Sequence, residues 1–325
     1  MQKNEKLKKF RKKNYCLLLM KHSLTTLLLT LCPFFICAQT PEDNDSETDD
    51  LFKELDDLTI EESNETIATF KSTRILLGQS TERVKKRQLH FRVSHVFGKI
   101  EGIDNFFGLD NINNMHLSFE YGLTDYIQLG LIRSNKPDKT YSTGIKLSAL
   151  RQKSGKNPFP FALSYFGSMD IKTREYFPEE RNENFEGRLE YVHQLLLSRK
   201  FTDNLSLQIS PTLVYRNLTE TKNDPNSIYS IGVGGRYLIS RSVSINAEYY
   251  YTLPTFDMED PSKNTLALGL DIETGGHVFQ LYFTNAFALH PGKFAINQSG
   301  DFFDKREINF GFSILREFSF SKKNK

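Results

Sequence analysis

The residues with the chemistry to act are spread thinly along this chain and share one parity. Taken as alternate positions of extended segments, His90, Arg92, His116, Glu120, Lys146, Glu190, Arg216, Arg236, Glu248, Asp271 and Glu273 fall on one side, and Glu186 and Arg188 continue that series upstream of Glu190. Both signs of charge are present. Opposed charges in a confined interior lower one another's ionisation cost and cross-link the walls around them, whereas a ring of one sign would point to ion selection. His116 and Ser118 stand two apart and evoke a histidine that activates a serine against a lipid ester. Such a site must face lipid, but both residues have the polar parity and Leu117 and Phe119 the apolar one, with no third orienting group fixed. The remaining histidines lack metal-ligand spacing. Gly232, Gly234 and Gly235 lie inside an alternating stretch with no helix after it, which suits close packing or a bulge better than a phosphate loop. No catalytic residue, metal or cofactor is expected.

The elements that must carry these side chains are strands. In NNMHLSFEYGLTDYIQLGLIRSN (113–135), Met115, Leu117, Phe119 and Tyr121 alternate with polar residues, and beyond the turn Ile127, Leu129 and Leu131 resume the alternation. About twelve such segments follow one another, near 88–98, 112–122, 125–134, 140–151, 159–169, 184–199, 205–216, 227–239, 243–253, 264–273, 277–288 and 306–318. The connections after even segments are short, such as 122–125 and 274–276. Those after odd segments are mostly long, such as 170–183 and 289–305. Tight turns at one end and long loops at the other distinguish outer-membrane barrels. The fold expected is an all-β, transmembrane, antiparallel up-and-down barrel of about twelve strands, apolar outside and ionic within. A soluble sandwich or a soluble barrel of opposite parity is the alternative.

Composition agrees. Only 38% of the 325 residues are hydrophobic, yet there are 27 Phe and 14 Tyr, which suits a thin apolar surface on one side of a sheet. Met1 to Ala38 holds eight Lys/Arg and a single acid, then LTTLLLTLCPFFICA; this reads as a secretory signal, too short and too broken by Pro33 to span a bilayer. It also contains all three cysteines, Cys16, Cys32 and Cys37, so no disulfide framework is expected after cleavage. With it removed, the balance shifts from +2 to about −5, which argues against nucleic acid. Residues 39–63 are acidic and poor in apolar groups, as in a solvated, disordered segment. Residues 64–87 carry Ile67, Phe70, Ile75, Leu76 and Leu77 and are expected to order as a plug or as a cap at the periplasmic mouth, with 88–325 forming the barrel.

The stretches 69–98, 106–134 and 139–152 resemble an uncharacterised Gram-negative family described as a membrane-bound β-barrel domain of unknown function. The resemblance implies an outer-membrane barrel and brings no functional residue with it. The expected partners are the lipid bilayer, the barrel-assembly machinery and a small solute. The expected role is a narrow channel or an envelope scaffold, with a lipid- or glycan-acting hydrolase or a soluble periplasmic binding protein as alternatives.

Overall fold

The computed structural model describes residues 65–111, 114–155, 158–174, 184–219, 224–254, 263–296, 300–303 and 307–320. The expected signal and acidic segments lie outside these. Twelve strands form one closed antiparallel barrel in which each strand pairs with its sequence neighbours and the last pairs with the first. They are β1 (Gln88–Lys99), β2 (Asn114–Gly122), β3 (Ile127–Ser134), β4 (Thr140–Leu150), β5 (Ala162–Lys172), β6 (Leu189–Lys200), β7 (Leu205–Arg216), β8 (Ser227–Leu238), β9 (Val243–Thr252), β10 (Thr265–Thr274), β11 (His277–Thr284) and β12 (Asn309–Ser319). The seam between β1 and β12 runs from Gln88 opposite Ser319 to Lys99 opposite Asn309. At its tight-turn end Phe320 N–H donates to the Arg87 carbonyl. Closure leaves no strand edge unpaired, the only arrangement in which strands can cross hydrocarbon.

The period of two sorts the side chains by environment. Phe119, Leu129, Leu131, Leu195, Ile209, Val233, Ile245 and Leu268 point out and stay exposed; Leu131 is 53% accessible. Exposed aromatics mark both rims, with Tyr126, Phe201 and Tyr237 toward the tight turns and Tyr141, Tyr229 and Tyr251 toward the long loops. The opposite parity is buried and polar. A soluble barrel or sandwich would show the reverse, so the apolar band faces lipid.

Several boundaries differ from the alternation reading. The polar alternation before Glu190 suggests a strand from 184, but Phe185 is helical in backbone and Glu186–Arg188 form a 3-10 turn, so β6 begins at Leu189. Conversely β5 runs on to Lys172, through a stretch whose polarity suggests a loop. β11 stops at Thr284 and its chain then turns inward, with a single helical turn, α1, at Pro291–Phe294. β7 contains Pro211, which has no N–H to give a ladder. The β6–β7 register is interrupted there, passing from Gln194 opposite Thr212 to Leu197 opposite Ile209.

Candidate functional site

The site is the bore of the barrel, and what occupies it is the segment before β1. Residues 74–79 close a tight turn, with Arg74 bridged to Gln79 and Ile75 N–H donating to the Gly78 carbonyl at 3.0 Å. This places Ile75, Leu76 and Leu77 at the tip, all buried. The tip is held by one carboxylate on β9. Glu248 Oε2 accepts the N–H groups of Leu76 and Leu77 at 3.0 and 2.6 Å, and Gly78 N–H reaches both its oxygens at 3.2 Å. Three convergent amides make an anion nest, and a charged acceptor strengthens each bond.

Most other ties are likewise wall side chains reaching a backbone or hydroxyl group of the segment, with Arg74 and Lys71 meeting the wall through their own side chains. Lys146 on β4 donates to the carbonyls of Thr73 and Glu82 at 3.0 and 2.9 Å. Glu120 on β2 accepts from Thr73 Oγ1 at 2.5 Å and faces the Arg74 guanidinium at 3.7 Å. His116, also on β2, lies 3.2 Å from Arg74. Arg92 on β1 donates to Ser72 at 2.8 Å and to Gln280 at 2.5 Å, and Gln280 in turn donates to the Ile75 carbonyl and to Asp271 on β10. Arg236 on β8 donates to the Ala68 carbonyl at 3.0 Å. Gln208 and Gln128 complete the set through Gln79, Thr81 and Val84. Because the wall uses side chains and the segment mostly backbone, strands from around the whole barrel converge on one short peptide.

The glycines read from the sequence as close-packing sites have that role at Gly232 and Gly234. A Cβ on Gly234 would lie 2.4 Å from Ile75 at the tip, and one on Gly232 would meet the ring of Tyr250 at 2.4 Å. Missing side chains on the wall make room for the tip.

A second element enters the bore from the long-loop end. The chain after β11 buries Ala286, Leu289, Phe294, Ala295 and Ile296, which share one apolar cluster with Leu76 and Leu77 of the tip and with Tyr250 and Tyr282 of the wall. Phe294 packs edge-on against Tyr250 at 5.1 Å. Thr252 and Thr265 donate to the carbonyls of Ala295 and Phe294 at 2.9 and 2.6 Å, and Asn114 donates to Phe287. Lys293 pairs with Asp138 of the β3–β4 turn at 3.3 Å. Burial alone would raise the Asp138 carboxyl, but Lys293 and then Lys172 outweigh it, so it titrates below its ordinary value.

The other residues singled out from the sequence take different places. His90 is buried near the tight-turn rim, 3.2 Å from Glu317. Glu190 and Arg216 are buried opposite each other on β6 and β7, near the long loops. Glu273 is exposed at the tight-turn mouth and pairs with Lys71. Glu186 and Arg188 are corrections. Both belong to the 3-10 turn beyond β6, where Glu186 is exposed and Arg188 donates to the carbonyls of Lys172 and Arg174, so neither lines the bore. Ser118 is buried with no hydrogen-bond partner among the described residues, while His116 is engaged by Arg74, so the pair is not set up as nucleophile and base.

Residues 70–318 match the family described as a membrane bound beta barrel domain, DUF5777. The chain belongs to that family. This DUF5777 barrel is therefore a membrane protein that crosses by strands. No curated relative matches it. Among solved structures it is similar to the KdgM porin (11% identity, 71% of this chain and 99% of that one, TM-score 0.44) and the NanC porin (8%, 71% and 99%, 0.44). It is also similar to Omp33 of Acinetobacter baumannii (6%, 72% and 99%, 0.39).

Proposed function

We propose that this DUF5777 barrel is an outer-membrane channel held shut by its own N-terminal segment, exported through the signal at Met1–Ala38 and passing a small polar solute when that segment moves. The observation that carries this is the turn at 74–79, docked on Glu248 in the middle of the bore and meeting the β11–β12 loop from the other side. Two features support a removable closure over a permanent core. The segment is held mainly by polar bonds that water can replace, and the wall behind it is hydrophilic. Ser118, Ser142, Ser168, Ser230 and Ser244 have buried hydroxyls without protein partners among the described residues, as suits a wall solvated during passage. About twelve strands give a bore between the filled eight-stranded and open sixteen-stranded cases, narrow enough for one hairpin to block.

The test is single-channel conductance of the full chain in planar bilayers beside Gly234→Leu, whose added side chain collides with Ile75 while leaving the strand ladder intact. The wild type should conduct in rare, brief openings and the variant for most of the recording. Conductance equal to bare bilayer in both, and in a chain lacking residues 39–87, would leave a scaffold role instead.

A further inference from the structure

Away from the N-terminal segment, three side chains from distant parts of the chain meet at the long-loop end with ion pairs at 3.3 Å and no hydrogen bonds among the described residues. Asp170 is two residues from the end of β5, Glu190 is the second residue of β6 directly opposite it in register, and His290 precedes α1 on the inward β11–β12 loop. All three are fully buried, and a ligand atom from each lies within 4.8 Å of the other two. His290 Nδ1 and Asp170 Oδ2 are 3.3 Å apart. Glu190 Oε2 has Lys172 Nζ at 3.3 Å. Otherwise both oxygens of each carboxylate and both imidazole nitrogens lack hydrogen-bond partners among the described residues. The loop is shaped to admit this arrangement, because a Cβ on Gly292 would lie 1.6 Å from Glu190 Oε1.

We propose that Asp170, Glu190 and His290 bind one divalent transition-metal ion, with zinc as the reference ion, and that the ion latches the β11–β12 loop to the barrel wall. Imidazole and carboxylate oxygen are donors suited to zinc, and the two carboxylates offset a dication while Lys172 adds one positive charge at the edge of the site. Bonds of about 2.0–2.1 Å to a tetrahedral ion place its ligand atoms roughly 3.3 Å apart, the spacing already present between His290 and Asp170. A plain Asp170–His290 ion pair would leave the second imidazole nitrogen and Oε1 of Glu190 without protein partners in a buried site, which is costly. The ion uses them. Lys172 then has the outer role, holding the second oxygen of Glu190 as partners of metal carboxylates commonly do. Since the loop contributes one ligand and the wall two, occupancy fixes the loop inward whether or not the pore conducts.

The experiment is calorimetric titration of zinc into the chelator-stripped full chain in detergent, with cobalt spectra as a second readout. One ion should bind per chain, and cobalt should give the absorption of a low-coordinate nitrogen–oxygen site. Asp170→Asn and His290→Gln should each weaken binding by at least the roughly tenfold lost when even an outer partner is removed. His193→Gln, on the lipid face, should leave it unchanged. Modification of Ala295→Cys by a thiol reagent should slow when zinc is added. Folding of each variant is checked by heat-modifiable gel mobility, and if Asp170→Asn does not close its barrel, His290→Gln decides, because it alters only the loop. Absence of binding to the wild type, or binding that both variants retain, overturns the proposal.

Discussion

At Glu248 a single carboxylate collects three amide donors from one turn, so its removal strands all three in the bore at once. Glu248→Ala should weaken docking of the segment by about 1–3 kcal/mol, the cost of leaving a buried donor unpaired. Glu248→Gln, which keeps an acceptor but loses the charge, should cost about half as much. Amide hydrogen exchange at Leu76 and Leu77 reads both, and faster exchange in the order wild type, Gln, Ala is expected. Asp138 makes a prediction about acid. Its folded titration lies below the ordinary 3.8, so its contribution is fully present above that value and disappears only as pH falls through the lower folded one. Proteolysis of the β11–β12 loop should therefore be flat through neutral and mildly acidic pH and rise only in stronger acid. In Asp138→Asn it should be raised already at neutrality. These residue roles were only partly legible beforehand. Parity alone places Arg92, Glu120, Lys146, Arg236 and Glu248 inside, because a strand has no other way to hide a charge. Nothing in the spacing of Glu248 announces a nest, since its donors lie some 170 residues away.

Strands were readable and their ends were not, for a physical reason. Alternation reports which face is apolar, and it persists into turns whenever neighbouring residues happen to alternate, as Glu186, Arg188 and Glu190 do. The extension of β5 to Lys172 is carried by pairing with Thr140, a term no single segment displays. It also brings Asp170 opposite Glu190, so an error of three residues at one strand end conceals a cluster. The inward course of the β11–β12 loop was hidden in the same way, its apolar residues resembling a strand continued past Thr284. At the scale of elements Pro211 gives a further test. Its position coincides with the gap in the β6–β7 ladder, beside a 390 Å³ hollow on the lipid face lined by Tyr165, His193, Leu195, Pro211, Leu213 and Tyr229. Pro211→Val restores a donor there and should stabilise the barrel by about 0.5–1.5 kcal/mol, measured as a higher urea midpoint in vesicles.

The whole molecule inverts the usual arrangement of a soluble protein, with its polar side chains at the centre and its apolar ones at the rim. Leu131, which faces outward between Phe119 and Thr143, should tolerate Leu131→Phe. Leu131→Arg should cost about 2–4 kcal/mol if its strand centre sits at mid-bilayer, read in the same urea titration. That architecture also constrains how the object can be put together. The peptide inside the bore is continuous with β1, and Lys86 is bridged to Gly122 at the entrance, while the seam to β12 is formed by the last strand to be made. Closing that seam therefore encloses a segment already joined to the first stave, so the ring and its stopper can form together. Supplied afterwards as a separate peptide, the stopper would have to thread a finished ring with Arg74 and its other charges still hydrated; the covalent tether to the first stave spares it that passage.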